Sequence, residues 1–231
     1  VHSNSYTFLY ALGVTSVVAV ALALAASGLR PRQEANEARA KRIAILQSVM
    51  VVNPETAGAD YERFIEEVVV NAEGTVVEGT AAFDVNVKKE SKKASAERLL
   101  PIFIYSDGQR KNFIVPLQGN GLWGPISAYL ALDEDLNTVY GVVFEHEKET
   151  PGLGAEINTD LFETRYKNKK LFDDAGAFQS IGVLKGSGHD TSDDPHHVDG
   201  LSGATMTING VTRMFANELK NYAPYFSTIR T

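Results

Sequence analysis

The sequence predicts an α+β protein, with a single N-terminal transmembrane helix ahead of one mainly antiparallel-sheet domain with flanking helices. Three patterns carry that expectation. An uncharged apolar run lies near the start, short β-branched and aromatic runs fill the middle, and an amphipathic helical pattern closes the chain. Strand and helix patterns do not alternate regularly, which argues against parallel crossover units. The 231 residues suit one membrane segment plus one globular domain.

The anchor comes first. From Tyr6 to Leu29 the chain carries no charge, and about two dozen residues are enough to cross a hydrocarbon core of ~30 Å as a helix. Gly13, Thr15 and Ser16 are tolerated in such helices. A cleaved signal peptide is the competing reading, helped by Ala25, Ala26 and Ser27, but the run exceeds the usual ~7–15 residues of a signal core and lacks a charged n-region. Residues 1–30 are therefore expected to be a retained anchor. Arg30, Arg32, Arg39, Lys41 and Arg42 follow the run while only His2 precedes it, a bias that by itself places the large domain in the cytoplasm. The chain opens on Val1 rather than Met, so an initiator residue is expected to have been removed or left out.

Residues 31–58 read as a helical connector, with Ile43, Leu46 and Met50 at helical spacing, and residues 59–231 as the folded domain. A short helix is expected over Asp60–Val70, with Phe64 and Val68 facing inward. Asp84–Glu97 is charged and poor in large apolar residues, so an exposed loop is expected. Strands are expected over Ile102–Ser106, Phe113–Leu117, Ile126–Leu132 and Thr138–Glu145, separated by turn signals at Asp107-Gly108 and Asp133 to Asn137. A short helix over Leu161–Tyr166, a strand over Ile181–Leu184 and a helix over Ile208–Tyr222 complete the expected elements.

Composition excludes several functions. A net charge of −7 supplies no basic face for nucleic acid. The absence of cysteine removes disulfides, thiolate nucleophiles and Cys-ligated clusters from this chain. His189, Asp190, Asp193, Asp194, His196 and His197 crowd one stretch, but no helical i, i+4 pair supports a metal site, and Gly186, Gly188 and Pro195 mark a solvated acidic loop.

Three segments remain as carriers of chemistry. Asp199-Gly200-Leu201-Ser202-Gly203-Ala204-Thr205-Met206-Thr207 runs into the last helix; its glycines admit close backbone approach, and a helix N-terminus suits a phosphate. On physics alone Thr207 could equally be a helix cap, with Ser202 in a turn. Glu149-Thr150-Pro151-Gly152-Leu153-Gly154 sets Leu153 between two glycines, either against a flat ring or in an ordinary hairpin loop. Gly119-Asn120-Gly121-Leu122-Trp123-Gly124-Pro125 places the only tryptophan in a bend, as a core plug or as the wall of a pocket.

In this order and behind one membrane helix, VPLQGNGLW, HEKETPGLGAEI and VDGLSGATMT resemble the C subunit of the Na+-translocating NADH:quinone oxidoreductase over nearly the whole chain. The G subunit of the Rnf complex is a relative with the same layout. The resemblance implies an FMN-binding domain in which a dedicated flavin transferase joins FMN phosphate to a threonine hydroxyl. It assigns covalent FMN to Thr205, with Thr207 as the fallback and Ser202, Gly203 and Ala204 in the same motif. Asp199 would matter to the transferase. Glu149, Thr150, Gly152, Leu153 and Gly154 form the loop placed against the flavin, and Leu122 and Trp123 lie in a further motif. The implied partners are flavin- and iron–sulfur-bearing subunits of a bacterial inner-membrane complex. The resemblance puts the large domain on the periplasmic side, against the charge count.

A flavin brings the redox chemistry itself, which accords with a sequence lacking an acid–base cluster. The expected function is a membrane-anchored relay of electrons with no turnover alone. The alternatives are an Rnf-type G subunit, a stand-alone anchored flavoprotein reductase, and a cofactor-free assembly protein.

Overall fold

The structure is a computed structural model describing residues 3–229; residues 1, 2, 230 and 231 lie outside the described residues. It divides into two units, Val1–Arg42 and Ile43–Thr231. Helix α1 spans Asn4–Gln47 and passes through Pro31 without a break. Its most apolar 18-residue window has a mean hydropathy of 2.3 and none of it is buried, so by length and composition it is fit to cross a membrane. Phe8, Leu9, Leu12, Val17, Leu22 and Leu24 all stand exposed. A helix apolar on every side and unburied is a poor solute in water but satisfies its backbone internally in lipid.

In the second unit, five strands form a meander. They are β1 (Ile65–Val70), β2 (Leu100–Ser106), β3 (Lys111–Asn120), β4 (Pro125–Leu132) and β5 (Val139–His146), ordered as in the sequence and each antiparallel to the next. Alternation sends Val115, Leu117, Ile126, Ala128, Leu130 and Phe144 to one face and Phe103, Tyr105, Ile114, Tyr129 and Ala131 to the other. Both faces are covered, which is why these strands read as nearly continuous apolar runs rather than as polar–apolar alternation. The second face packs Ala44–Leu46 and Val49, helix α2 (Ala57–Phe64) and the turn around Ala82. The first packs helix α5 (Thr205–Ile229).

The turns form where the sequence places them. Asp107 accepts from the Gln109 and Arg110 N–H groups, with Gly108 at φ +87°, and Asp135 accepts from those of Asn137 and Thr138. One expectation needs correction. The helix expected over Asp60–Val70 stops at Phe64; Ile65 to Val70 pair with Tyr105 to Leu100, because a β-branched run beside an open sheet edge gains more from pairing than from helix. The segment expected as an exposed loop, Asp84–Glu97, is largely exposed, and the chain is docked just past it. Arg98 meets Glu218 of α5 at 3.3 Å, Glu90 accepts the Leu99 N–H, and residues 87–90 form the short helix α3 (Val87–Glu90), capped by Asn86.

Helix α5 is positioned by glycines at its crossing with β3. A Cβ at Gly210 would collide with the Asn120 carbonyl, and one at Gly119 would lie 2.7 Å from the Met214 side chain. Beneath it, Phe215 joins Phe144, Phe162 and Tyr166 in a cluster with ring centroids 5.3–5.9 Å apart. Each fully buried ring is worth ~1.5–3 kcal/mol of apolar burial. Phe162 belongs to the short helix α4 (Asp160–Glu163), which continues as one 3-10 turn to Tyr166, as the sequence suggests. The combined result is a helix whose N-terminus is fixed beside the β3–β4 bend.

Candidate functional site

The three glycine-bearing segments meet at one carboxylate. Glu149, only 4% exposed, accepts the Trp123 N–H at 2.9 Å on Oε1 and the Thr207 hydroxyl at 2.6 Å on Oε2. The N–H groups of Leu122 and Gly124 also point at it. Burial by itself would raise the Glu149 pKa. The Thr207 hydroxyl and the three N–H groups of the bend outweigh it and hold the carboxyl below its ordinary value. Two glycines make the arrangement possible. A Cβ at Gly121 would lie 2.5 Å from Glu149 Oε1; one at Gly154 would lie 2.5 Å from Oε2 and would collide with the Thr207 hydroxyl.

The two candidate threonines therefore differ sharply. Thr207 is 2% exposed with its hydroxyl committed to Glu149. Thr205 opens α5 and is exposed. The residue before it is Ala204, whose carbonyl accepts the first helical bond from Ile208 but whose methyl cannot cap the helix. The first-turn N–H groups thus stand at the positive end of a 25-residue helix without a side-chain cap from that position.

The three segments that meet at Glu149 also expose apolar side chains. Trp123 is 63% exposed and Leu153 41%, and Leu122 and Met206 are also exposed. Leu153 reaches over Gly203, where a Cβ would come within 2.6 Å of its Cδ2; Gly203 has φ +79°. The tryptophan is thus a surface ring rather than a core plug. Gly152 takes φ +75° and donates to Glu156, and the Thr150 carbonyl accepts from the Leu153 and Ala155 N–H groups, so the Glu149–Gly154 loop is a fixed turn.

The strand leading into the Thr205 segment escapes sequence reading. His197–Val198 (β7) pairs in parallel with Gly182–Val183 (β6), a two-residue match too short to show as a pattern. It delivers Gly200 against the Leu184 and Gly186 carbonyls, so closely that no Cβ fits. Asp199 accepts from the Gly188 and His189 N–H groups, and Arg165 donates to the carbonyls of Asp199 and Gly200 at 2.8 and 2.7 Å. Burial opposes the ionised form of Asp199, but those N–H bonds and the Arg165 and His189 charges bring its pKa below the ordinary value. Ser202 lies 2.7 Å from Ser187, hydroxyl to hydroxyl. Arg165, Ser187 and Met206 carry no sequence signal, since their roles come from long-range neighbours.

The His189–His197 loop closes on itself. Lys169, buried at its centre, donates to the Thr191 and Asp194 carbonyls, His196 bonds the Lys170 carbonyl, and His197 bonds Asp194. Among the described residues no group of three His, Cys, Asp or Glu is placed to hold a metal ion.

Residues 121–220, from the bend through most of α5, match the FMN-binding domain family. The C subunit of the Na(+)-translocating NADH-quinone reductase of Neisseria meningitidis serogroup A is 32% identical over 250 residues, covering 99% of this chain and 95% of that protein. The chain belongs to this C-subunit family. Solved members share the fold. The crystal structure of the C subunit from Parabacteroides distasonis matches with a TM-score of 0.77 and 38% identity, over 86% of this chain and 97% of that one. Shewanella oneidensis NqrC matches with a TM-score of 0.73 and 26% identity, over 85% and 99%. The matched region takes in the Glu149–Gly154 and Asp199–Thr207 segments and, from Gly121 on, the bend that meets them at Glu149.

Proposed function

We propose that Thr205 carries FMN through a threonine phosphoester, and that the chain is the membrane-anchored electron-transfer subunit of a sodium-pumping NADH:quinone reductase. The observation that carries this reading is that Thr205 is exposed at the start of α5, where Ala204 offers no side-chain cap, on a site whose three segments also expose Leu122, Trp123, Leu153 and Met206. The residues fit the group. N–H groups of the first turn suit a phosphate, Gly203 lets the backbone come close, and the exposed side chains suit the face of a flat ring. Thr207, buried and bonded, is in this reading part of the scaffold rather than the acceptor.

When bound, FMN supplies one- and two-electron redox chemistry; the chain supplies position, shielding and charge. In attachment, the Thr205 O–H bond is exchanged for an O–P bond. A flavin nucleotide carried as a phosphoanhydride would balance that exchange, its nucleoside monophosphate leaving and the Thr205 proton going to the flavin transferase. Asp199, braced by Arg165, holds the approach to the motif in the shape that enzyme would read.

The partners are the flavin- and iron–sulfur-bearing subunits of the complex, and the names of the relatives favour this type over the Rnf G subunit. Residues 1–30 serve as a single-pass inner-membrane anchor, 31–58 as the connector and 59–231 as the FMN-binding domain, on the periplasmic side. Because the chain lacks cysteine, one introduced at exposed Leu161 is a clean reporter of sidedness. Labelling by an impermeant maleimide is expected in cells whose inner membrane is intact; labelling only after lysis would place the domain in the cytoplasm. Flavin fluorescence that survives denaturing electrophoresis tests the attachment itself, and its absence would remove the covalent reading.

A further inference from the structure

Glu149 is buried with both oxygens facing protein donors, the Thr207 hydroxyl on one and the Trp123 N–H on the other. Those donors come from the first turn of α5 and from the β3–β4 bend. Gly121 and Gly154 lack the side chains that would push the carboxylate out. The bond to Thr207 falls two residues beyond Thr205, within the same helical turn, so it fixes the rotation of that turn about the helix axis.

We propose that Glu149 is the positioning residue for flavin attachment: its carboxylate ties the first turn of α5 to the Leu122–Gly124 bend, withdraws the Thr207 hydroxyl, and leaves Thr205 as the exposed hydroxyl of that turn. This rests on the proposed function and assigns Glu149 a role other than contact with the flavin ring. A hydroxyl donating to a carboxylate at 2.6 Å resembles a nucleophile with its base. Burial decides against that use. At 2% exposure Thr207 has no open side from which a phosphorus atom could approach, and Gly154 packs against it.

The test uses the full chain expressed with a flavin transferase, and reads attachment per folded molecule. Glu149→Gln keeps the size of the side chain but turns one acceptor into a donor facing a donor. Thr207→Val keeps the shape and deletes the same bond from the other side. Both are checked for a native circular dichroism spectrum and melting transition, and flavin on the peptide spanning residues 186–213 is quantified by mass. Each variant is expected to lose about ten-fold in Thr205 occupancy, the factor carried by one charge-assisted hydrogen bond. The double variant is expected to be no worse than the poorer single one, because the two changes break one shared bond. Gly154→Ala, which crowds the same carboxylate, gives a third route to the same loss. If a variant fails to fold, the remaining ones decide. Parental occupancy of Thr205 in the folded variants would overturn the positioning role. A parent chain without flavin on Thr205 would instead overturn the function on which it rests.

Discussion

Two loops of this domain look alike in sequence and behave oppositely in the structure. The 186–197 loop and the 199–207 segment are both rich in glycine and hydroxyls, and the first adds three acidic and three imidazole side chains, so either could pass for a site. In the first, the polar groups are spent on each other: Lys169 on two carbonyls, His196 on a third, and Asp194 on His197 and two N–H groups. In the second, a buried carboxylate takes up Thr207 while Thr205 stays exposed. What separates the two segments is not their inventory of groups but which of those groups remain unspent and reachable.

The contrast can be broken by mutation. The largest effect is expected at Thr205. Thr205→Ala abolishes the covalent flavin, seen as loss of in-gel fluorescence, whereas Thr205→Ser retains it because the hydroxyl survives. Fluorescence persisting in Thr205→Ala would move the acceptor to another hydroxyl.

Removing the exposed apolar wall comes next. Trp123→Ala and Leu153→Ala keep the attachment but expose the ring, shifting the midpoint potential by on the order of tens of millivolts, equivalent to ~1 kcal/mol of differential contact between redox states. An unchanged potential in both would mean that these side chains do not face the ring.

A smaller effect concerns acidity. Glu163 is half-buried beside Asp160 and accepts the Phe144 N–H; desolvation pushes its pKa up to about 7. A carboxyl raised in the folded state stabilises fully below its unfolded value, and that contribution is lost as pH rises toward 7. Glu163→Gln should therefore gain stability at pH 8 relative to pH 5, by about 1 kcal/mol after screening of a half-buried group. Glu149 has the opposite sign. Its lowered pKa gives stability above the unfolded value that is lost as pH falls through the folded one, so Glu149→Gln should flatten the acid limb of the melting curve.

The smallest effect belongs to the closed loop. His197→Ala should leave flavin occupancy unchanged, and added zinc should not shift the melting temperature. A zinc-dependent rise would show a site there after all.

Much of the fold was legible because its signals are local. The apolar run, the β-branched strands and the Asp-Gly turn at Asp107 each announce themselves within ten residues. The strand Ile65–Val70 did not, since a short apolar run fits helix and strand equally until a partner such as Leu100–Tyr105 decides. The three site segments could be read as glycine-rich turns, and the family resemblance ordered them. Their convergence on Glu149 was invisible, because the Thr207–Glu149 bond joins positions 58 residues apart. The choice between Thr205 and Thr207, open on sequence physics, now has a physical basis in exposure.

The most direct measurement is peptide mass mapping of the parent chain expressed with its transferase. The expected result is the added mass of an FMN phosphoester on Thr205, with Thr207 unmodified. An unmodified peptide, or one carrying the flavin on Thr207, would contradict it.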